Sequence, residues 1–352
     1  MKKPLFILGT GRCGSTMLST MVRQHPTCLS ISEFFAGVID VGFQTEAFFS
    51  PTPINGEEFW RFLATCYPRQ TLLLRDGLMP KEILYPFDKS SRYNKNIGLP
   101  AILFTMLPHL TDEADALFDE LHTWVLQRPS VSAVEHTQAM LQYLAERFGK
   151  THWVERCGCS LLFVQHLVES FPEARFLHIV RDGRNCAISM SKQNTFRMMY
   201  IWNQQMPLLG VDPMSSDDRT NIAKLPEELR RLLPENLTIE AFFDYKIPLS
   251  VFGNLWSEMI TSGLEVLHQL PQERVITLYY EDFLTDPVPQ ITALAKFLDD
   301  EIVSTPEVQQ WIQQSTAIVG QPREQWKDLS PQEREELHQA CIPGFEALQT
   351  YI

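Results

Sequence analysis

The stretch from Leu5 to Ser19, LFILGTGRCGSTMLS, constrains this chain more than any other. Leu5 to Leu8 are four consecutive apolar residues, the pattern of a buried strand. The turn Gly9-Thr-Gly-Arg-Cys-Gly14 follows at once, and Ser15 and Thr16 open a helical run through Met17, Leu18, Met21 and Val22. Strand, glycine turn and helix start in that order make an anion cradle. Glycines let the backbone come close, and exposed N–H groups with the helix dipole favour negative charge. Three readings fit this cradle. Gly9-x-Gly11-x-x-Gly14, with Glu33 in the 19th position beyond Gly14, matches a dinucleotide fingerprint. Gly9-x4-Gly14-Ser-Thr matches a phosphate loop with Ser15 in place of the usual Lys. Arg12 at the tip, with two hydroxyls at the helix start, suits a phosphosulfate, whose sulfonyl group carries less charge than a phosphoryl group.

Bulk properties narrow the class. The chain has 352 residues, 44% of them hydrophobic, enough for a large core in one α/β domain with insertions or in two domains. Its net charge of −13, from 30 basic and 43 acidic residues, argues against non-specific nucleic-acid binding and against polyanionic acceptors. A small anionic ligand in a locally basic pocket remains compatible with that balance. The seven cysteines are scattered without a repeated spacing, which reads as reduced thiols in the cytoplasm. Cys157-x-Cys159 near His152 lacks a second ligand pair, so no metal site is expected. The first strand starts about five residues from Met1, which is read as leaving no room for a signal peptide, and no apolar run reaches the length of a membrane span.

In chain order, Cys28 to Ile31 reads as a second strand that delivers Glu33 to the sheet edge where ligands sit in open α/β folds. Residues 34–110 lose the α/β rhythm, being rich in aromatics and broken by prolines, with helices expected near 57–66 and 99–106. Helices follow at 112–127 and 132–148. A strand at 151–154 runs into Glu155-Arg156, and a helix at 160–170 precedes the strand Arg175 to Val180, which enters Arg181-Asp-Gly-Arg184. Strand and helix alternating at this spacing imply parallel strands. Residues 195–250 break the rhythm again, and the proline-rich polar part, 212–236, reads as an exposed loop or lid. A helix at 249–269, a last strand at 274–279 and helices at 287–298 and 331–349 close the chain. The expected fold is α/β: a P-loop-like parallel sheet flanked by helices, with large, mainly helical insertions.

A second anion motif lies at 181–189. Arg181 ends a strand, Ser189 lies eight residues on in the next helix, and Arg184 sits between them. A guanidinium fork and a hydroxyl at that spacing can share one phosphate. With two such motifs, the chain resembles the sulfotransferases that use 3′-phosphoadenosine 5′-phosphosulfate (PAPS) and release adenosine 3′,5′-bisphosphate (PAP). Gly-Arg-Cys-Gly-Ser-Thr at 11–16 is similar to their 5′-phosphosulfate loop, and Arg-Asp-Gly-Arg-Asn-Cys-Ala-Ile-Ser at 181–189 to their 3′-phosphate motif. Leu-Tyr-Tyr-Glu-Asp-Phe-Leu-Thr-Asp-Pro at 278–287 and the tail from Ser315 through Gly320-Gln-Pro-Arg to Trp326 and Ser330 also resemble family segments. The pattern is nearest the bacterial and tyrosylprotein-type branch.

The resemblance implies a set of roles. One sulfotransferase-like domain would carry an acceptor cavity built from residues 34–150 and a lid from 195–250. Glu33 would be the general base, Arg12 would bridge the sulfonyl group and the leaving phosphate, and Arg156 and Ser315 would stabilise the sulfonyl oxygens. Gly11, Arg12, Cys13, Gly14, Ser15 and Thr16 would hold the 5′ end of the donor. Arg181, Arg184 and Ser189 would hold the 3′-phosphate, with Tyr280 near the nucleotide. No metal is implied. Two departures stand out: relatives often show Glu-Lys-Thr-Pro where this chain has Glu155-Arg-Cys-Gly158, and Gln325 replaces a basic residue before Trp326, with Arg323 or Lys327 as substitutes. The acceptor would be a small hydroxylated molecule, a lipid or a carrier-bound group. The residues alone leave two alternatives open, an NAD-dependent oxidoreductase using the glycine turn and a metal-dependent kinase-like phosphate-loop enzyme.

Overall fold

Five buried or half-buried runs form a wholly parallel sheet: β1 (Leu5–Leu8), β2 (Cys28–Ser32), β3 (His152–Arg156), β4 (Arg175–Val180) and β5 (Val275–Tyr279). The spatial order is β2-β3-β1-β4-β5, with Leu5 opposite both Val154 and Arg175. This computed structural model describes residues 3–40, 43–78, 80, 82–88, 92–321 and 323–352, so Pro322 of the tail motif lies outside it. Helices cover both faces of the sheet. That is why β1 and β4 read as near-continuous apolar runs instead of alternating ones. In β3 the buried polar residues lie at the two ends, His152 at the start and Glu155 and Arg156 where the strand reaches its carboxyl end.

Most expected elements appear within a few residues of their sequence bounds. Capping boxes fix several starts: Asn55 with Glu58 opens the helix Gly56–Ala64, Ser132 with Glu135 opens Ala133–Arg147, and Ser330 with Glu333 opens Pro331–Tyr351. The helix expected at 99–106 is two short ones, Ala101–Phe104 and Met106–Leu110, broken at Thr105, whose hydroxyl donates to the Glu82 carbonyl at 2.7 Å. The helix expected at 160–170 begins with a tighter 3₁₀ turn, Ser160–Phe163.

The segment 212–236 differs more from its expectation as an exposed loop. Leu225, Leu229, Leu232 and Leu233 are buried with Met198, Ile201, Trp202 and Phe242 in a second apolar cluster. The helix Asn194–Leu209 supplies one side of that cluster. The polar residues between the leucines hid a spacing that turns one face inward.

A buried strut ties this cluster to the first insertion. Arg69, in the helix Pro68–Arg75, donates from Nη1 to Asp40 at 2.9 Å and from Nη2 to Asp212 at 2.6 Å. Its guanidinium also lies 3.1 Å from the centre of the Phe43 ring. Burial pushes the Asp40 carboxyl up to about 6 against the pull of Arg69. Arg69→Met would leave the buried Asp40 and the half-buried Asp212 without their cation, and breaking a buried pair costs about 3–5 kcal/mol. Urea unfolding of the variant should show that loss; a change below about 1 kcal/mol, the value of a surface pair, would mean the insertions hold together without the strut.

Candidate functional site

All five strands deliver a residue of interest at their carboxyl ends. β1 runs into the glycine turn, β2 into Glu33, β3 ends at Arg156, β4 runs into Arg181 and β5 into Tyr280. Gly11 and Gly14 hold φ of 77° and 99°, values that L side chains rarely adopt. Neither has room for a side chain: a Cβ on Gly14 would lie 2.3 Å from the Tyr280 ring, and one on Gly11 2.7 Å from Phe196. Cys13 is buried, its sulfur packed under Gly9, which fits a small residue that lets the loop close. Among the described residues, no hydrogen bond takes the N–H groups of Cys13, Gly14, Ser15 or Thr16. They converge at the start of helix α1 (Ser15–Arg23), where a bound anion would be held.

The two anion motifs touch. Arg12 Nε donates to Ser189 Oγ at 3.0 Å, and Arg181 Nη1 donates to the Arg12 carbonyl at 2.9 Å. The Arg181 guanidinium also lies 4.6 Å from the centre of the Tyr280 ring, and its buried Nε has no protein partner among the described residues. An orphaned donor at this place fits an anionic ligand that would complete it.

Glu33 sits in a socket made by four consecutive residues. Its backbone is left-handed, φ 57°, as it turns from β2 into helix α2 (Phe34–Val38). Its N–H donates to the Arg156 carbonyl at 2.8 Å. One carboxylate oxygen pairs with Arg156 Nη1, and the other accepts from the Gly158 N–H at 3.1 Å. Arg156 Nη2 also donates to Ser32 Oγ at 2.8 Å. Beneath them, Glu155 accepts from the Phe34 N–H at 3.1 Å and from the Cys157 thiol at 2.6 Å, while the Ala36 N–H donates to the Cys157 sulfur at 3.3 Å. The departure from Glu-Lys-Thr-Pro thus has a physical account. Proline at 158 has no N–H to give, whereas glycine supplies the second bond to Glu33.

Residues of the turn and of the socket line a single cleft of about 200 Å³, which Arg181, Ser189 and Tyr280 adjoin through Arg12 and Gly14 without lining it. Gly11, Arg12, Ser15 and Thr16 form one side and Glu33, Arg156 and Gly158 the facing side. Ala36, Leu73, Ile83, Phe104 and Phe196 add an apolar wall. The wall comes mainly from the first insertion, with Thr195 and Phe196 contributed by the second.

The profile of the sulfotransferase family matches residues 4–239. The chain belongs to the sulfotransferase family. Among solved structures it is similar to the sulfotransferase domain from the curacin biosynthetic pathway, at 16% identity and a TM-score of 0.48, covering 96% of this chain and 97% of that one. It is similar to a sulfotransferase from Mycobacterium avium at 18% identity and a TM-score of 0.46, covering 99% of this chain and 77% of that one. For the sulfotransferase domain of a Synechococcus olefin synthase the values are 14% and 0.43, with 100% and 96% covered. No curated protein matches the chain.

Two further expected site residues of this sulfotransferase neither line the cleft nor join the contacts around Arg12. Ser315 ends the helix Pro306–Ser315, is fully buried, and does not line the cleft. Arg184 grips Asp182 through Nε at 3.0 Å and Nη2 at 2.5 Å and stacks on Trp326 at 3.7 Å, turned away from Arg12. Lys327 pairs with Glu324, and Gln325 accepts from Lys192 Nζ at 2.6 Å, so a lysine reaches Gln325 from a distant helix. Conversely, Glu82 and Gln193 line the cleft without having belonged to any motif, and Cys159, weighed only as a metal ligand, lines it too. Among the described residues no helix is long and apolar enough to cross a membrane.

The socket carries a titration of its own. Burial pushes the Glu155 carboxyl up to about 8, its thiol bond opposing and the Glu33 charge adding. Folding therefore takes up a proton at Glu155 between its ordinary value of 4.5 and about 8. That contribution to stability is full below the ordinary value and is lost as pH rises through 8, at up to about 1.4 kcal/mol per pH unit. Glu155→Gln cannot ionise, so unfolding free energies from pH 6 to 9 should decline less steeply than in the wild type. Identical slopes would mean that Glu155 is already charged in the folded protein.

Proposed function

We propose that this sulfotransferase moves a sulfonyl group from PAPS to a hydroxyl of a small, lipid or carrier-bound acceptor, with Glu33 as general base. One observation carries the reading: the Arg12 turn is in direct contact with Arg181 and Ser189, from a distant part of the chain, and shares one cleft with the Glu33–Arg156 pair. The donor would supply the activated sulfonyl group. The free N–H groups of Cys13 to Thr16 and the Arg12 fork would hold its 5′ end, and Arg181 and Ser189 its 3′-phosphate. Each preorganised donor facing charge that builds on a leaving group is typically worth ~3 kcal/mol.

Glu33 can accept a proton although both its oxygens are bonded. A carboxylate has about four acceptor positions, and Arg156 and the Gly158 N–H occupy two. The remaining lone pairs can take the proton of an acceptor hydroxyl entering along the apolar wall. Arg156 is anchored on Ser32 and Glu33 and would meet the sulfonyl oxygens. Ser315 has no part in this reading.

The sheet order weakens the dinucleotide alternative. A ribose-binding acid belongs on the strand beside β1. Here β3 lies between β1 and β2, so the strand that leads into Glu33 stands two strand spacings, roughly 10 Å, from β1 instead of beside it.

PAP should bind the protein and raise its melting temperature, and NAD should do neither. Glu33→Gln should keep PAP affinity and lose transfer activity by roughly 10²- to 10⁴-fold, the range of general-base catalysis. A flat melting curve at saturating PAP, or a Glu33→Gln variant with full activity, would overturn the donor or the base assignment respectively.

A further inference from the structure

The cleft holds a second carboxylate. Glu82 Oε1 accepts from Arg12 Nη1 at 3.0 Å, in a pair whose side chains are about a third exposed, 31% for Arg12 and 38% for Glu82. Thr105 holds the Glu82 backbone by donating to its carbonyl at 2.7 Å, which fixes the residue to the cleft wall. The remaining Arg12 donors are also in use. Nε bonds Ser189, and the Gln193 amide, with its oxygen turned to the fork, accepts from Nη1 and Nη2 at 3.3 Å each. A guanidinium has five N–H bonds to give, so nearly all of this one is committed before any ligand arrives. A carboxylate and a phosphosulfate present the same thing to such a fork, paired oxygens sharing negative charge.

Resting on the donor reading above, we propose that Glu82 is an internal competitor for the 5′ end of the donor: a built-in carboxylate that holds Arg12 until a ligand anion displaces it, and so sets the affinity and selectivity of the donor site. The exchange is local and breaks no covalent bond. A ligand with an anionic 5′ end takes Arg12 and releases Glu82, whose charge then stays in the cleft. A ligand with a neutral 5′ end leaves the Arg12–Glu82 pair intact. Glu82 therefore lowers affinity for ligands with charge at that end, leaves those with a neutral 5′ end unaffected, and narrows the preference between the two.

Isothermal titration calorimetry with two probes tests this. Glu82→Gln keeps the shape and removes the charge, and Glu82→Ala removes the group. Both should bind adenosine 3′,5′-bisphosphate roughly tenfold more tightly than the wild type, the scale of one hydrogen bond to a charged group. Both should bind adenosine 3′-monophosphate as the wild type does, because its 5′-hydroxyl makes no claim on Arg12. Melting curves of the free variants confirm that they are folded. Unchanged or weaker bisphosphate binding in both variants would overturn the proposal while leaving the donor reading intact. Equal tightening of both probes would overturn it too, since the effect would then be general charge relief. A wild type that binds no bisphosphate would remove the donor reading itself, and Glu82 with it.

Discussion

The chemistry of this chain depends on where β1 ends. It is an internal strand, with β3 on one side and β4 on the other, so its glycine turn emerges between two further carboxyl ends. Parallel strands bring all such ends to one edge, where ligands bind in open α/β sheets. Arg156 and Arg181 are thereby set on opposite flanks of the same loop without any contact having to be arranged between them. The helix that follows the loop adds its unpaired N–H groups. A shift of one strand in the order would separate the two anion motifs that Arg12 and Ser189 now join.

Two of the residues at that edge hold conformations that cost free energy. Arg12 and Glu33 are left-handed, at φ 59° and 57°, and non-glycine residues in that region are strained by about 1–3 kcal/mol each. The surroundings over-determine both. Arg181 grips the Arg12 carbonyl, and the 155–158 run bonds the Glu33 backbone, the Glu33 carboxylate and the helix that follows it. The strain turns the two side chains into the cleft, where a relaxed strand-to-helix turn would send them elsewhere.

This edge was largely legible in the sequence because its parts are local. A strand, a glycine turn and a helix start are adjacent in the chain, and Arg181 and Ser189 lie within one strand and one helix. What was not legible is what depends on side-chain direction or on distant pairing. Arg184 shares its motif with Arg181 and Ser189, yet it turns to Asp182 and Trp326, and spacing alone does not say so. Ser315 was placed by resemblance at a point where the helix buries it. Glu82 lies in a proline-broken stretch with no pattern, and it meets Arg12 across 70 residues of sequence. The Arg69 strut joins positions 29 and 143 residues apart. The leucines at 225, 229 and 232 did carry a helical period, masked by the charged residues between them.

The apolar wall and the ion pairs belong to one design. Arg12–Glu82 faces water in an open cleft, where high dielectric weakens it, while Arg156–Glu33 is largely buried at the cleft wall. An acceptor with an apolar body would settle against Ala36, Leu73, Ile83, Phe104 and Phe196 and displace that water. Losing water strengthens every charge interaction left inside; with the roles proposed above, these would include the hold of Arg156 on developing charge and the pull of Glu33 on a hydroxyl proton. An acceptor too polar to cover the wall would leave the same residues in place but solvated, with their effect on the transition state reduced. On the proposed reading, fit to an apolar surface and rate of transfer would therefore be the same variable, set by the first insertion and not by the sheet edge that would hold the donor.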